Sequence, residues 1–277
     1  KTVVITYTKQ IVTTGSVKTE ITHTRNEETT MFNKTRNHLN TLTGQILLFA
    51  CCIFTAGNAA EPATGKIAVK NGEKIAFLGD SITAAGRRPG GYCQLVLSAL
   101  KDQGIEANPV FAGIGGHKSN QMLARLERDV LKHKPNWMTL SCGVNDVWHG
   151  ERGVDLESYK KNITEIVNKA QAAGVKVVLL TSTMIREDQG NDLNQKLLPY
   201  NTFIRTLAKE KKCLLADLNA DMQAALKTFP TDAPKGKQLT SDGVHMNKAG
   251  NIMMARGVAK AFGLTNQQLD QSAKNWK

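Results

Sequence analysis

Short, continuously apolar runs punctuate the chain, and a longer segment of helical periodicity follows each of them. The clearest run is 176–181 (KVVLLT), β-branched and apolar on both faces. Residues 74–79 (KIAFLG), 109–112, 137–142 and 213–216 are of the same kind. Between them lie helical patterns at 92–102, 119–132, 156–173 (stopped by Gly174) and 194–211, with further helices near 221–229 and 247–262. A strand that is apolar on both faces has to be covered on both, as in a parallel sheet joined by helical crossovers. The expectation is a three-layer α/β/α domain, doubly wound around a five-stranded parallel sheet. In such sheets functional side chains gather in the loops at the carboxyl ends of the strands.

With 277 residues, of which 41% are hydrophobic, the chain suits one domain with a substantial core and short extensions. Of the net charge of +12, residues 1–60 carry +3 (six Lys/Arg against three acids), which leaves +9 for 61–277. That balance suits attraction to polyanions or anionic surfaces. No Arg/Lys run with interleaved aromatics accompanies it, so nucleic acid is not an expected partner. Cys51 and Cys52 sit in an N-terminal apolar stretch. Cys93, Cys142 and Cys213 are widely separated, and no C-x-x-C pair exists to form a zinc knuckle or a redox dithiol. They read as small buried apolar residues.

The N-terminus reads as a targeting segment. Residues 1–30 are Thr-rich and aperiodic, whereas 31–36 (MFNKTR) form a positive region, 46–56 a short apolar core, and Gly57, Ala59 and Ala60 a run of small residues. That order is the order of a secretory signal peptide. The apolar core is shorter than the roughly 20 residues a membrane span needs. Translation is expected to start at Met31, so residues 1–60 divide into an upstream extension and a signal at about 31–60, with the domain at 61–277. The expected location is secreted or periplasmic, without stable membrane insertion. A buried helix of the main domain and a lipoprotein cleavage before Cys51 are the alternatives. No pattern sets an oligomeric state.

Four strand ends carry polar groups suited to acyl transfer. The first run ends in Gly79-Asp80-Ser81, which holds a serine hydroxyl at the sheet edge; a turn or helix-capping serine is the plainer reading. The second ends in Gly113-Ile114-Gly115-Gly116-His117-Lys118-Ser119, glycines that let backbone N–H groups approach a ligand. Their spacing does not fit G-x-G-x-x-G, so a dinucleotide cofactor is not expected. The third ends in Gly143-Val144-Asn145-Asp146, where the Asn amide can donate to an oxyanion or form a turn. Near the C-terminus, Asp242 and His245 stand three residues apart, close enough for the carboxylate to hold Nδ1–H and leave Nε2 to serve a serine. A second D-x-x-H, Asp146 to His149, is a rival dyad; His149 could also line the pocket or sit at the surface. No H-E-x-x-H or Cys/His cluster supports a metal.

Taken in order, Gly-Asp-Ser, Gly-Gly, Gly-x-Asn-Asp and Asp-x-x-His resemble the SGNH hydrolase (GDSL esterase/lipase) superfamily over about 74–262. The resemblance implies a flavodoxin-like sheet and an esterase that needs no cofactor or metal. It implies Ser81 as nucleophile, an Asp242–His245 dyad, and an oxyanion hole from Ser81, Gly116 and Asn145. Gly250 falls at the family's helix position after the dyad. Two departures bear on substrate: His117-Lys118 in the second block makes the rim more basic, and Met246 stands where Pro often follows the histidine. The expected substrate is a small-molecule or polysaccharide ester with a short acyl group, acetyl on a carbohydrate above all. A lysophospholipase or thioesterase is the alternative, and a non-catalytic carbohydrate-binding protein the reading from another class.

Overall fold

The five apolar runs form five strands: β1 (Lys74–Gly79), β2 (Asn108–Gly113), β3 (Trp137–Ser141), β4 (Lys176–Leu180) and β5 (Leu214–Ala216). They pair in the order β2-β1-β3-β4-β5, every pair parallel. The computed structural model describes residues 66–230 and 236–276, so the expected signal segment lies outside the described residues.

The helices are α1 (Ser81–Gly86), α2 (Tyr92–Lys101), α3 (Ser119–Asp129), α4 (Val144–Trp148), α5 (Leu156–Ala172), α6 (Asp192–Glu210), α7 (Leu218–Leu226), α8 (Lys248–Ala261) and α9 (Asn266–Ala273). They sort into two packed groups: α1, α2, α7, α8 and α9 in one, and α3, α4, α5 and α6 in the other. Each group covers one face of the sheet, which gives the three layers. The central strands are accordingly dry: Ile75, Phe77, Leu78, Met138, Val178 and Leu179 are fully buried. Burying each of these side chains contributes about 1.5–3 kcal/mol.

Three differences from the sequence reading have local causes. The pattern at 119–132 breaks at Val130, whose backbone leaves the helical region, and a 3₁₀ turn follows at Leu131–His133. Two short helices, α1 and α4, begin inside the motifs themselves, at strand ends where the fold class led to an expectation of loops. The last helix, α9, is started by Thr265, whose side chain accepts from Gln268 N while the Gln268 side chain returns the bond.

The strand order places the site. From β1 the chain runs outward to β2, then returns past β1 to β3 and continues to β5. The crossovers leaving β1 and β3 diverge, and the carboxyl ends of these two adjacent strands border the crevice where such sheets bind ligands. Ser81 follows β1, and Asn145 follows β3.

Candidate active site

Asp80 caps α1, with Oδ1 accepting from Ile82 N at 2.9 Å, so Ser81 is the first helical residue. An N–H in that first turn has no acceptor within the helix and is free for a ligand. Helix α1 sits directly on the end of β2, because Gly113 has no side chain: a Cβ there would overlap the Ala84 amide nitrogen. Thr83 and Tyr92 seal the corner through a buried hydroxyl pair at 2.9 Å. The position of Ser81 is thus set by close packing.

Opposite it, Leu239 to Asn247 form a tight loop closed by Asn247 N to Leu239 O (3.0 Å) and Ser241 N to His245 O (2.9 Å). Inside the loop Asp242 Oδ1 accepts from Val244 N and His245 N, at 3.0 and 2.8 Å. Asp242 Oδ2 meets His245 Nδ1 at 2.6 Å, and His245 Nε2 meets Ser81 Oγ at 2.9 Å. With its proton on Nδ1, His245 presents a basic Nε2 to the serine. Partial burial pushes the Asp242 carboxyl up, but the hydrogen bonds from His245 and the two backbone N–H groups outweigh it and hold the pKa at about 2. The carboxylate therefore stays ionised across the neutral range.

This loop has an anchor that the sequence did not advertise. Glu187, after β4, accepts from Leu239 N, Thr240 N and Thr240 Oγ through Oε1 at 2.7–2.8 Å, and from Gln238 N through Oε2 at 2.7 Å. Next to it, Arg186 N donates to Gly243 O at 2.6 Å. The sequence presents Glu187 as one acid in a polar loop, and its partners lie about 50 positions further on.

The second and third blocks are locked together. Asp146 accepts from Ser119 N (3.0 Å) and Ser119 Oγ (2.6 Å), with Cys142 Sγ at 3.4 Å from its other oxygen. Its carboxylate is therefore spent on Ser119 and Cys142, and the Asp146–His149 dyad does not form. Asn145 is buried and donates one Nδ2 hydrogen to His117 O at 3.2 Å, which leaves the second hydrogen free. Gly116 adopts a left-handed φ of +74°, and a Cβ on the adjacent Gly115 would stand 3.9 Å from Ser81 Cβ. Within the second block, Gly115 thus brings the backbone close to the nucleophile's side chain.

Two carboxyls lie close behind the serine. Burial pushes Asp80 up to about 6; the Ile82 N–H pulls it back, and the Asp146 charge raises it again. Burial likewise raises Asp146, against the Ser119 hydrogen bonds. Arg125, also buried, ties this floor together: it donates to Ala112 O (2.7 Å), Gly79 O (2.8 Å) and His117 Nδ1 (3.1 Å), and pairs with Asp129 at 3.2 Å. Burial and the Arg125 charge lower the His117 pKa, so the imidazole faces the block as a neutral acceptor. An arginine beside Met122 and Leu126 on the buried stripe of α3 was the available sequence signal.

An open cleft of about 550 Å³ runs beside the triad, lined among others by Ser81, Arg87, Arg88, Gly115, Asp242 and His245. Its cations are Arg87 and Arg88; His117 and Lys118, expected to make the rim basic, do not line it. Trp148 and His149 also stand outside it. Among the described residues no three His, Cys, Asp or Glu side chains group to hold a metal ion, and no helix is long and apolar enough to cross a membrane.

A doubly wound α/β domain with a Ser–His–Asp relay at its β1/β3 crevice belongs to the hydrolase class. The GDSL-like lipase/acylhydrolase family model matches residues 77–251, and the chain belongs to that family. It is similar to the acetylxylan esterase of Geobacillus stearothermophilus, 29% identical over 217 residues that cover 70% of this chain and 96% of that protein. A crystal structure of an acetyl xylan esterase superposes with a TM-score of 0.64 at 38% identity, over 68% of this chain and 98% of the other. Thioesterase 1/protease 1/lysophospholipase L1 of Escherichia coli K12 is 27% identical over 189 residues, 68% of this chain and 82% of that one. Solved structures of the Geobacillus acetylxylan esterase include catalytic mutants in which a serine, an aspartate and a histidine three residues beyond the aspartate are each replaced by alanine. The chain is a carboxylic ester hydrolase.

Proposed function

We propose that the protein removes short acyl groups, acetyl above all, from carbohydrate esters through an acyl-enzyme on Ser81. The observation that carries the reading is the unbroken relay Ser81 Oγ–His245 Nε2–Asp242 Oδ2, at 2.9 and 2.6 Å, beside an open cleft with little apolar lining. Its similarity to acetylxylan esterases over two-thirds of the chain supports acetyl on a sugar.

In the first half-reaction Ser81 Oγ attacks the ester carbonyl while its proton passes to His245 Nε2. The imidazolium so formed is stabilised by Asp242, which also fixes the tautomer. Negative charge developing on the carbonyl oxygen is met by the N–H groups of Ser81 and Gly116 and the free Nδ2 hydrogen of Asn145; each such donor is worth about 2.7–4 kcal/mol. The sugar hydroxyl leaves with the proton from Nε2. Water, deprotonated by His245, then attacks the acyl-serine, and acetate departs as Ser81 recovers its proton. Trp148, 41% exposed and one turn after Asn145 on α4, lies outside the cleft and offers a flat face only to a sugar ring that extends beyond it. The signal-like order of residues 31–60 supports action outside the cytoplasm, secreted or periplasmic, where such polymers lie.

A chain-length series of p-nitrophenyl esters tests this. kcat/KM is expected to be highest for acetate and to fall steeply beyond butyrate. A maximum at octanoate or longer would replace it with a lipid or thioester acyl hydrolase.

A further inference from the structure

Two guanidinium groups beside the reacting centre take no part in the chemistry above. Arg87 and Arg88 follow directly on α1, are exposed, and line the same cleft as Ser81 and His245. Among the described residues Arg125, Arg128, Arg205 and Arg256 each hold a carboxylate within 3.2 Å. Neither Arg87 nor Arg88 has such a partner among the described residues, nor have Arg152 and Arg186, which lie outside the cleft. The cleft's one acid among the described residues, Asp242, is engaged by His245, and apart from the two arginines the rest of its lining carries no formal charge.

A cation at a helix C-terminus is favoured by the helix dipole, but adjacent like charges repel, and α1 has only six residues to offset them. The backbone under them is nonetheless fixed. Arg88 N bonds Ala85 O at 3.0 Å, Gly91 N bonds Arg88 O at 2.9 Å, and Gln94 Nε2 bonds Arg87 O at 3.0 Å. Two cations on a rigid turn form a pre-organised anion site, and the guanidinium fork matches a carboxylate or phosphate in bidentate fashion.

We propose that Arg87 and Arg88 form a subsite for a carboxylate of the substrate, so that the preferred ester is an acetylated sugar chain bearing uronic acid residues. The proposal rests on the acetyl-carbohydrate reading of the site. The lining favours a sugar carboxylate over a lysophospholipid phosphate, because Ala84, Ala85 and Met246 alone give a long acyl chain too little apolar surface.

The test uses p-nitrophenyl acetate, an uncharged reporter, with unesterified oligogalacturonate or neutral xylo-oligosaccharide as competitor. Each Ki is read against the same protein's uninhibited rate. At low salt the acidic oligomer should inhibit with a Ki about tenfold lower than the neutral one, a difference of about 1.4 kcal/mol. That advantage should largely vanish at about 0.5 M NaCl and in Arg87→Gln/Arg88→Gln, and persist in Arg152→Gln, which lies outside the cleft. Equal inhibition by the two oligomers, or an advantage the double variant keeps, overturns the subsite. Inhibition by glycerol 3-phosphate but not by oligogalacturonate overturns it in favour of a phosphorylated ester. If octanoate proves the good reporter, the acetyl reading fails by itself, and the same competition run on octanoate still decides the subsite.

Discussion

Ser81 and His245 meet at 2.9 Å, but the two regions that deliver them are built differently. The β1–α1 corner is held by packing: Gly79 and Gly113 leave no room for a side chain, and Asp80 and Thr83 are buried. In contrast, the loop carrying the dyad is half open to solvent, with side-chain exposures of 52% for Asp242 and 40% for His245. Its shape comes from hydrogen bonds to Glu187 and from Asn247, whose Nδ2 reaches three loop carbonyls at 3.0–3.3 Å. A nucleophile needs a fixed place, and close packing provides one. A base that shuttles protons between solvent, serine and leaving group needs access, so polar bonds rather than burial must position it.

The contrast breaks most visibly at Gly113. Gly113→Ala forces α1 off the end of β2, so stability and activity should fall together, with about 3 kcal/mol lost in denaturant titration. A variant of unchanged stability and turnover would mean that packing does not set the serine. Glu187→Gln should do the opposite. It swaps a carboxylate oxygen for an N–H donor facing backbone donors, so kcat should drop about 10- to 100-fold, with KM nearly kept and Tm moved by only ~2 °C. A large Tm loss with normal kcat would make Glu187 merely structural.

The smallest effect concerns pH. Asp80 has a folded pKa near 6, above its ordinary 3.8, so the folded state binds the extra proton between these values and stability falls as pH rises through them. Asp80→Asn keeps the capping oxygen without the charge. Its Tm should be a few degrees above the parent's at pH 7, and the difference should close towards pH 4. Asp242 runs the other way: its depressed pKa gives stability that is present above 3.8 and lost as pH falls through about 2. A Tm difference between Asp80→Asn and the parent that does not vary with pH would contradict the first assignment.

The same division decides what could be read from the chain. All five strands were legible, because both-face apolar runs leave few other conformations, and the order of the four motifs gave the relay. Helices α1 and α4 were not, since five or six residues carry too little periodicity. Helix α9 was not read either, although the capping pair Thr265–Gln268 starts it. Glu187 and Arg125 were harder still. Their work is done on groups tens of positions away, reaching from Arg125 back to Gly79 and from Glu187 forward to Thr240. No local pattern encodes such a partner.

The central claim is that Ser81, activated by His245, forms the acyl-enzyme. A serine-directed phosphonate followed by peptide mass mapping tests it most directly, with Ser81→Ala as the paired variant. The account predicts labelling at Ser81 alone, loss of labelling in Ser81→Ala, and a kcat lowered about 10⁴-fold or more in a variant that keeps the parent's circular dichroism. Stoichiometric labelling at another serine, or near-parental turnover by folded Ser81→Ala, would contradict it.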